Sequence, residues 1–506
     1  MLGFKSMRAD TLFYNGNFFT PSRKKINWLT VKEGWITALG TGAPDRHLLV
    51  QKKVNLKNKY VLPGWIDAHV HLMLLGQRKF EVDVSSCRSL AELKKRVLGR
   101  KTQEVWIEAY GLDLEKWKET NPLTAQGLDR ISSRIPLLIR QKDEHALWVN
   151  TSLLKRAHLE KRYPLGYLVD KDMEIIFKLR PKLSSQKIKG ALLYAQEACV
   201  REGITSVHDM AMQSLPLKNL SELMRAKKYD LRVYGALYGK EALKEFYSPK
   251  VNLFQHHLTV RAQKLFIDGA LSSRGAWLSE PYCDMPESTG YCLWQKKELL
   301  ERVHSAFQKH FQLIFHTLGD QASLWLLKVL ASKYKPQELG QRPLGDKRIR
   351  LEHVEILNRE ALFLMKTLGV IASMQPWHAL SDGPWLKSRL GQKRLSQVGR
   401  FKDILKEKIP LCGGSDAPIE PHNPLWGIGA AMIQKGQRLN LQEAIHMYTL
   451  GGAYAEFSEN IKGSLEVGKL ADFVVLPKNI FRLHPKELLE VKTQMTVIGG
   501  KIVYAQ

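Results

Sequence analysis

The run GWIDAHVHLMLLG, residues 64–76, sets three titratable side chains, Asp67, His69 and His71, two residues apart in otherwise apolar sequence. A spacing of two is the period of a β-strand, so all three leave the backbone on one face; a helix would scatter them. Buried together without partners, such groups would cost about 1–3 kcal/mol each, and more where a charge is involved. A bound metal ion is the compensation that this arrangement points to.

Working outward from that strand, short β-rich runs alternate with helical stretches, the pattern of parallel βα units. The runs are VLPGWIDAHVH, GITSVHDM (203–210), LRVYGAL (231–237), VRAQKLFIDG (260–269), FQLIFHTLG (311–319), RIRLEHVEI (348–356), GVIASMQP (369–376) and IPLCGGSD (409–416). Eight such units close into a TIM-type (β/α)8 barrel, here over residues 63–461, whose chemistry sits at the C-terminal ends of the strands. Asn440 with Glu443 forms a capping box opening the late helix LQEAIHMYTLGGAYAEF.

About 130 residues separate His71 from Gly203, several times a βα connection, so an inserted subdomain is expected at about 77–200. It holds its own β-like runs, VWIEAYGLD, IPLLIRQ and YLVDKDMEIIFKL, and follows the first strand, where it would cover the pocket. Both chain ends read as strands. Residues 1–62 carry DTLFYNGNFFT and INWLTVKEGWITALG, with Asn15-Gly16 and Glu33-Gly34 as turn signals; residues 462–506 carry LADFVVLP and a Gly499-Gly500 hairpin. A small β-sandwich assembled from both termini follows.

On this scheme the unusual polar residues recur at one level. His69 and His71 end the first strand, Lys264 lies in the fourth, His316 in the fifth and His353 in the sixth, and Asp416 ends the eighth. Singly they are ambiguous: an HxH pair can be packing, Asp416 a helix N-cap, Lys264 a snorkelling side chain. Together, four imidazoles and a carboxylate suit Zn²⁺, with Mn²⁺, Fe²⁺ and Ni²⁺ as alternatives. His208, on the second strand, reads as structural.

Composition supports a globular enzyme of 506 residues, 44% hydrophobic and 25% charged. Five cysteines without a CxxC pair argue against a disulfide framework. The N-terminus has no apolar core of a leader, and no segment is a membrane span, so a cytoplasmic location is expected. The net charge of +27 is spread along the chain and its densest run, Arg23-Lys24-Lys25, is short. Diffuse surface charge fits better than a dedicated nucleic-acid site. A non-catalytic basic binder on a barrel scaffold is the remote alternative, and it predicts salt-dependent DNA retention that survives metal removal.

Several of these runs together, VLPGWIDAHVHL, QKLFIDGALSSRGAWLSEPYCD, FHTLGDQA, RIRLEHVEIL, SMQPWHALSD, GGSDAPIEPHNPLWGI and GSLEVGKLADFVVL, resemble the YtcJ-like amidohydrolases (amidohydrolase family 3) over roughly residues 8–504. That group belongs to the metal-dependent amidohydrolase superfamily and includes N-substituted formamide deformylases. The resemblance implies His69 and His71 on one metal, His316 and His353 on a second, Asp416 beside the first, and Lys264 carboxylated and bridging both ions. A one-metal site with unmodified Lys264 is the rival. It further implies hydrolysis of a non-peptide carbon–nitrogen bond in a small amide-like substrate, with Asp416 as proton shuttle. A single-metal deaminase or N-acyl-amino-acid deacylase of the same superfamily is the alternative, and a homodimer is among the assemblies allowed. The segment RQKDEHALWVN matches a family segment and puts Asp143, His145 and Trp148 toward the substrate, His145 with a catalytic share, although Glu144 stands where relatives commonly have a small residue. Gln375 and His378, just after the seventh strand, complete the expected substrate contacts. Asp67 is expected to orient rather than ligate.

Overall fold

The structure, a computed structural model, describes residues 8–21, 25–44, 48–99, 105–114, 117, 123–142, 146–169, 172–334 and 346–506. Its centre is a ring of parallel strands: β1 (Trp65–Val70), β2 (Ile204–Met212), β3 (Arg232–Leu237), β4 (Leu258–Phe266), β5 (Gln312–Thr317), β6 (Arg350–His353), β7 (Ile371–Met374) and β8 (Leu411–Gly413). Neighbours in sequence are neighbours in the sheet throughout. The ring closes where the His71 N–H donates to the Ala417 carbonyl at 2.8 Å and the Asp416 N–H to the His69 carbonyl at 2.7 Å, beside a parallel bridge between Val70 and Ala417. All eight strands fall on the runs expected from sequence.

Each strand is buried on both faces, which is why its sequence reads as nearly continuous apolar residues. In β5, Leu313 and Phe315 pack outward with Leu299 and Val303 of the helix Lys296–Gln308, each burial contributing about 1.5–3 kcal/mol. Ile314 points inward and fills the barrel floor with Met210, Tyr234, Ala236 and Ala262. The helix Ser185–Arg201 buries Ile188, Leu192, Ala195 and Cys199 at helical spacing, and Ser184 caps its start by accepting from the Lys187 N–H. The capping box of Asn440 and Glu443 is present, but the helix it opens is Leu441–Met447; the chain breaks at Thr449 and resumes as Leu450–Ala455.

The terminal strands form one eight-stranded sheet drawn from both chain ends. Glu33-Gly34 and Gly499-Gly500 turn as expected, all four residues at positive φ. Asn15-Gly16 does not turn. The strand Arg8–Phe18 runs through it with a bulge: Asn15 takes φ 58° and its side chain donates to Asn55 Oδ1 at 3.1 Å. Glycine is needed next to it because a Cβ at Gly16 would lie 2.8 Å from side-chain atoms of Leu56 and Phe18.

A third sheet, Val82–Asp83, Ile107–Leu112, Leu137–Gln141, Ala146–Val149 and Tyr167–Val169, lies between β1 and β2 in the chain. Helix Leu90–Leu98 packs on one face with Leu137 and Ile139, helix Thr151–Ala157 on the other with Leu138. The run YLVDKDMEIIFKL is strand only to Val169. Met173–Lys178 is helical, because Met173 and Ile176 bury at a spacing of three. Among the described residues no helix is long and apolar enough to cross a membrane.

Candidate functional site

At the C-terminal rim of the barrel, side chains from β1, β6 and the end of β8 meet around one carboxylate. Asp416 Oδ1 lies 3.1 Å from His71 Nε2 and 3.3 Å from His69 Nε2, and Oδ2 lies 3.9 Å from His353 Nδ1. The ring centroids of His69 and His353 are 4.8 Å apart, those of His316 and His353 4.5 Å. Lys264, on β4, is buried beneath them with no hydrogen-bond partner for Nζ among the described residues. The six residues singled out as a ligand set are therefore gathered at one end of the ring.

Two left-handed residues shape this rim. His353 has φ 71° and Asp416 φ 62°, backbone states that cost a non-glycine residue roughly 1–3 kcal/mol each. The turn at His353 brings adjacent side chains to the same interior: Glu352 bonds His69 Nδ1 at 2.6 Å while His353 faces the His69 and His316 rings. Strand alternation alone would put Glu352 and His353 on opposite faces, which is why Glu352 escapes a period-two reading. Its effect is specific. With Nδ1 held as a donor by Glu352, His69 turns an unprotonated Nε2 toward Asp416.

Arg350 anchors Glu352 at 2.9 Å and also reaches His208 Nδ1, the Ala68 carbonyl and the Ser373 hydroxyl. His208 meets Arg350 through Nδ1 and lies with Nε2 3.5 Å from Glu456, which Lys462 pairs at 2.6 Å. Asp67 does orient, but what it orients is the β8 loop: it accepts from the Ser415 N–H at 2.9 Å and the Ser415 hydroxyl at 2.5 Å. That loop presses so closely on β1 that a Cβ at Gly414 would lie 2.5 Å from the His69 nitrogen.

Charge states follow from burial and neighbours. Burial, then the Lys264 ammonium, draws His69 down to about 4, and burial with His316 and His69 beside it holds His353 well below the usual histidine range. Both shifts favour the neutral form that ligates, and the Asp416 carboxyl beside them shares in the same balance of protons. Burial would raise the Asp416 carboxyl, but His69, His71 and His353 outweigh it and keep the group well below the carboxylate range. Burial draws the Lys264 amine down to about 8, against the pull of Glu352 and Asp416.

A cavity of about 450 Å³ opens from this cluster. His316, His353 and Asp416 form its floor, and Leu112, Asp113, Gln141 and Lys142 of the inserted sheet contribute to its wall, so the insertion does border the pocket. His378 faces it, with Nε2 3.7 Å from Asp416 Oδ2. Gln375 is buried and lines a small adjoining cavity with His353, Glu355 and His378. Trp148 is not on the wall. On the strand Ala146–Val149 it turns to the apolar face occupied by Ile139 and Val82 and packs against Tyr167 at 4.6 Å, so it belongs to the insertion's own core. Asp143 and His145 lie outside the described residues.

The donors fit a divalent cation. Two ligands on a tetrahedral zinc with bonds of about 2.0–2.2 Å sit about 3.4 Å apart, the size of the contacts that His69 and His71 make with Asp416. The buried His353 Nδ1 and Lys264 Nζ, both without a hydrogen-bond partner among the described residues, are the orphaned groups that an ion or a bridging anion would satisfy.

A family model described as "Amidohydrolase family" matches residues 52–504. YtcJ of Bacillus subtilis (strain 168) is 28% identical over 92% of this chain and 94% of its own length. The N-substituted formamide deformylase of Arthrobacter pascens is 22% identical over 92% of this chain and 91% of its own. The crystal structure of a metal-dependent hydrolase from Pyrococcus horikoshii OT3 superposes with a TM-score of 0.79 at 26% identity, covering 94% of this chain and 99% of that one.

Proposed function

The chain belongs to the amidohydrolase family, and from that premise we propose that it hydrolyses a non-peptide carbon–nitrogen bond of a small amide-like molecule, with a divalent metal, zinc by preference, held by His69, His71, His316, His353 and Lys264 and with Asp416 as the proton shuttle. The observation that carries this reading is the convergence of His69, His71 and His353 on Asp416 at 3.1–3.9 Å, at the floor of a cavity large enough for a small molecule.

When bound there, a divalent cation supplies an acidified water, its pKa falling from about 15.7 to about 7, and polarises the carbonyl under attack. The rest falls to the chain. Asp416, held anionic by the imidazoles around it, takes the proton of the attacking water and returns it to the leaving nitrogen, so that a poor anionic leaving group departs as a neutral amine. His378, on the cavity side of Asp416, is close enough to the reacting centre to donate to a substrate oxygen. Lys264 is the group suited to carboxylation. Its amine, drawn down to about 8, is partly neutral near pH 7, and a neutral amine takes up carbon dioxide with loss of one proton to give an anionic carbamate. An ammonium at that depth would oppose a bound cation; a carbamate would bridge two.

The test is metal analysis combined with a screen of formamides, N-acyl amino acids and cyclic amides. Two metal equivalents per chain and turnover that disappears on chelation and returns with zinc are expected. A fully metallated protein that releases no amine from any of these classes would overturn the reading. Glu352→Gln adds a separate check: it keeps a hydrogen bond to His69 but withdraws the anion that fixes the tautomer. Metal affinity is expected to fall about 10–100-fold, the usual loss when such a supporting carboxylate is removed, as measured by competition with a chromophoric chelator.

A further inference from the structure

The cavity carries a second cluster, which adjoins the residues gathered around Asp416 through His378. Donor atoms of Glu355, His378 and Asp382 all lie within 4.8 Å of one another on its wall. Glu355 follows β6, is 7% exposed, lines the cavity, and has an Oε1 with no hydrogen-bond partner among the described residues. Glu420, also 7% exposed, joins the same wall from the segment after β8. A buried carboxylate oxygen without a partner is costly and rare, and here it faces open space where a ligand can reach it.

We infer that this wall, Glu355, Asp382 and Glu420, is a subsite for a cationic nitrogen, so that the preferred substrates are amides that also bear an ammonium or guanidinium group; the substrate side of this inference rests on the amide-hydrolase reading above. The resident cations do not already fill the role. Arg389 is committed to Asp284, which Arg274 also bonds at 3.0 Å, and Lys142, exposed at the cavity wall, pulls on Asp382 electrostatically but forms no ion pair with it among the described residues. Burial raises the carboxyl of Glu355 to about 8 and that of Asp382 to about 6, with His378 beside them, and a cationic nitrogen seated between them would draw both back to the anionic form. The acidic wall also runs against the chain's +27 net charge. Surface charges are screened beyond roughly 8 Å at physiological ionic strength, so the overall positive field does not decide what binds inside, whereas contact with the wall does. Leu271, Pro384 and Trp385 line the same cavity and suit the apolar spacer between a charged end and a scissile amide.

The experiment compares isosteres that differ in charge alone. Formate release is measured from N-formylpentylamine carrying a terminal guanidinium and from the same compound carrying a terminal urea, with the metallated wild type and with Glu355→Gln and Asp382→Asn. The wild type is expected to favour the guanidinium compound in kcat/KM by about tenfold or more, the scale of one charge-assisted contact in a partly buried site, and each substitution to shrink that ratio severalfold. A wild-type ratio at or below one, or a ratio that the substitutions leave alone, would overturn the inference. Binding is read independently from thermal stabilisation by pentylguanidinium against pentylurea. Selective stabilisation that Glu355→Gln abolishes, without formate release, would sustain the subsite while the amide-hydrolase reading fails; hydrolysis of the neutral compound alone would do the reverse. Metal content of Glu355→Gln is expected to equal that of the wild type, and loss of an equivalent would overturn the inference by assigning the cluster to a metal ion.

Discussion

Asp416→Asn is expected to lower kcat by about 10²–10⁴-fold, the contribution of a well-placed proton-transfer group, with metal content and circular dichroism unchanged. Asparagine is the informative replacement for two reasons. It keeps an oxygen where His69 and His71 approach the carboxylate at 3.3 and 3.1 Å, and it is among the few residues that readily adopt the φ of 62° found at this position. What it lacks is the anion that accepts a proton. Alanine would confound the result by adding backbone strain and removing the oxygen that faces His69 and His71 at once. Steady-state kinetics on whichever amide the screen identifies, alongside metal analysis of the same preparation, makes the check. Undiminished turnover would remove Asp416 from the reaction, and loss of turnover together with loss of metal would make it a ligand first.

Arg350→Met is expected to destabilise the fold by about 3–5 kcal/mol, measured as a lowered denaturation midpoint in urea, because it strands a buried anion. Arg350 and Glu352 are both wholly inaccessible, and the guanidinium serves Glu352, His208, the Ala68 carbonyl and Ser373 at 2.7–3.1 Å. Burial would push the Glu352 carboxyl up; Arg350 and then His69 hold it far below the usual range instead. Removing the cation therefore reverses the balance. The double variant Arg350→Met/Glu352→Gln is expected to recover part of the loss, since a neutral pair leaves no charge stranded. A single variant as stable as the wild type would show that the pair contributes little beyond packing.

The barrel was readable because strand alternation and strand-end polarity agree: each of His69, Lys264, His316 and His353 sits where a run of apolar residues meets the rim. Glu352 was not readable. It stands beside His353 in RLEHVE, and only the left-handed backbone at His353 lets neighbours face one interior. The carboxylates of the cavity wall were hidden for a different reason. Glu355, Asp382 and Glu420 come from connections after three different strands, so their meeting depends on loop paths that no periodicity encodes. Trp148 failed in the opposite sense. Its motif pointed to the substrate, but the alternation of its own short strand commits it to the apolar core of the insertion.

The joint between β1 and β8 has a mechanical meaning. Ser415 and Asp67, 348 positions apart, are fastened where His69 and Asp416 face each other, so the proposed metal site straddles the place where the circle is completed. A chain still lacking its last strand has His69 and His71 but neither the Ser415 contacts that hold the β8 loop nor the carboxylate that those rings face. The side chains proposed to hold the ion and to move its proton thus come into register only where the two ends of the ring are joined.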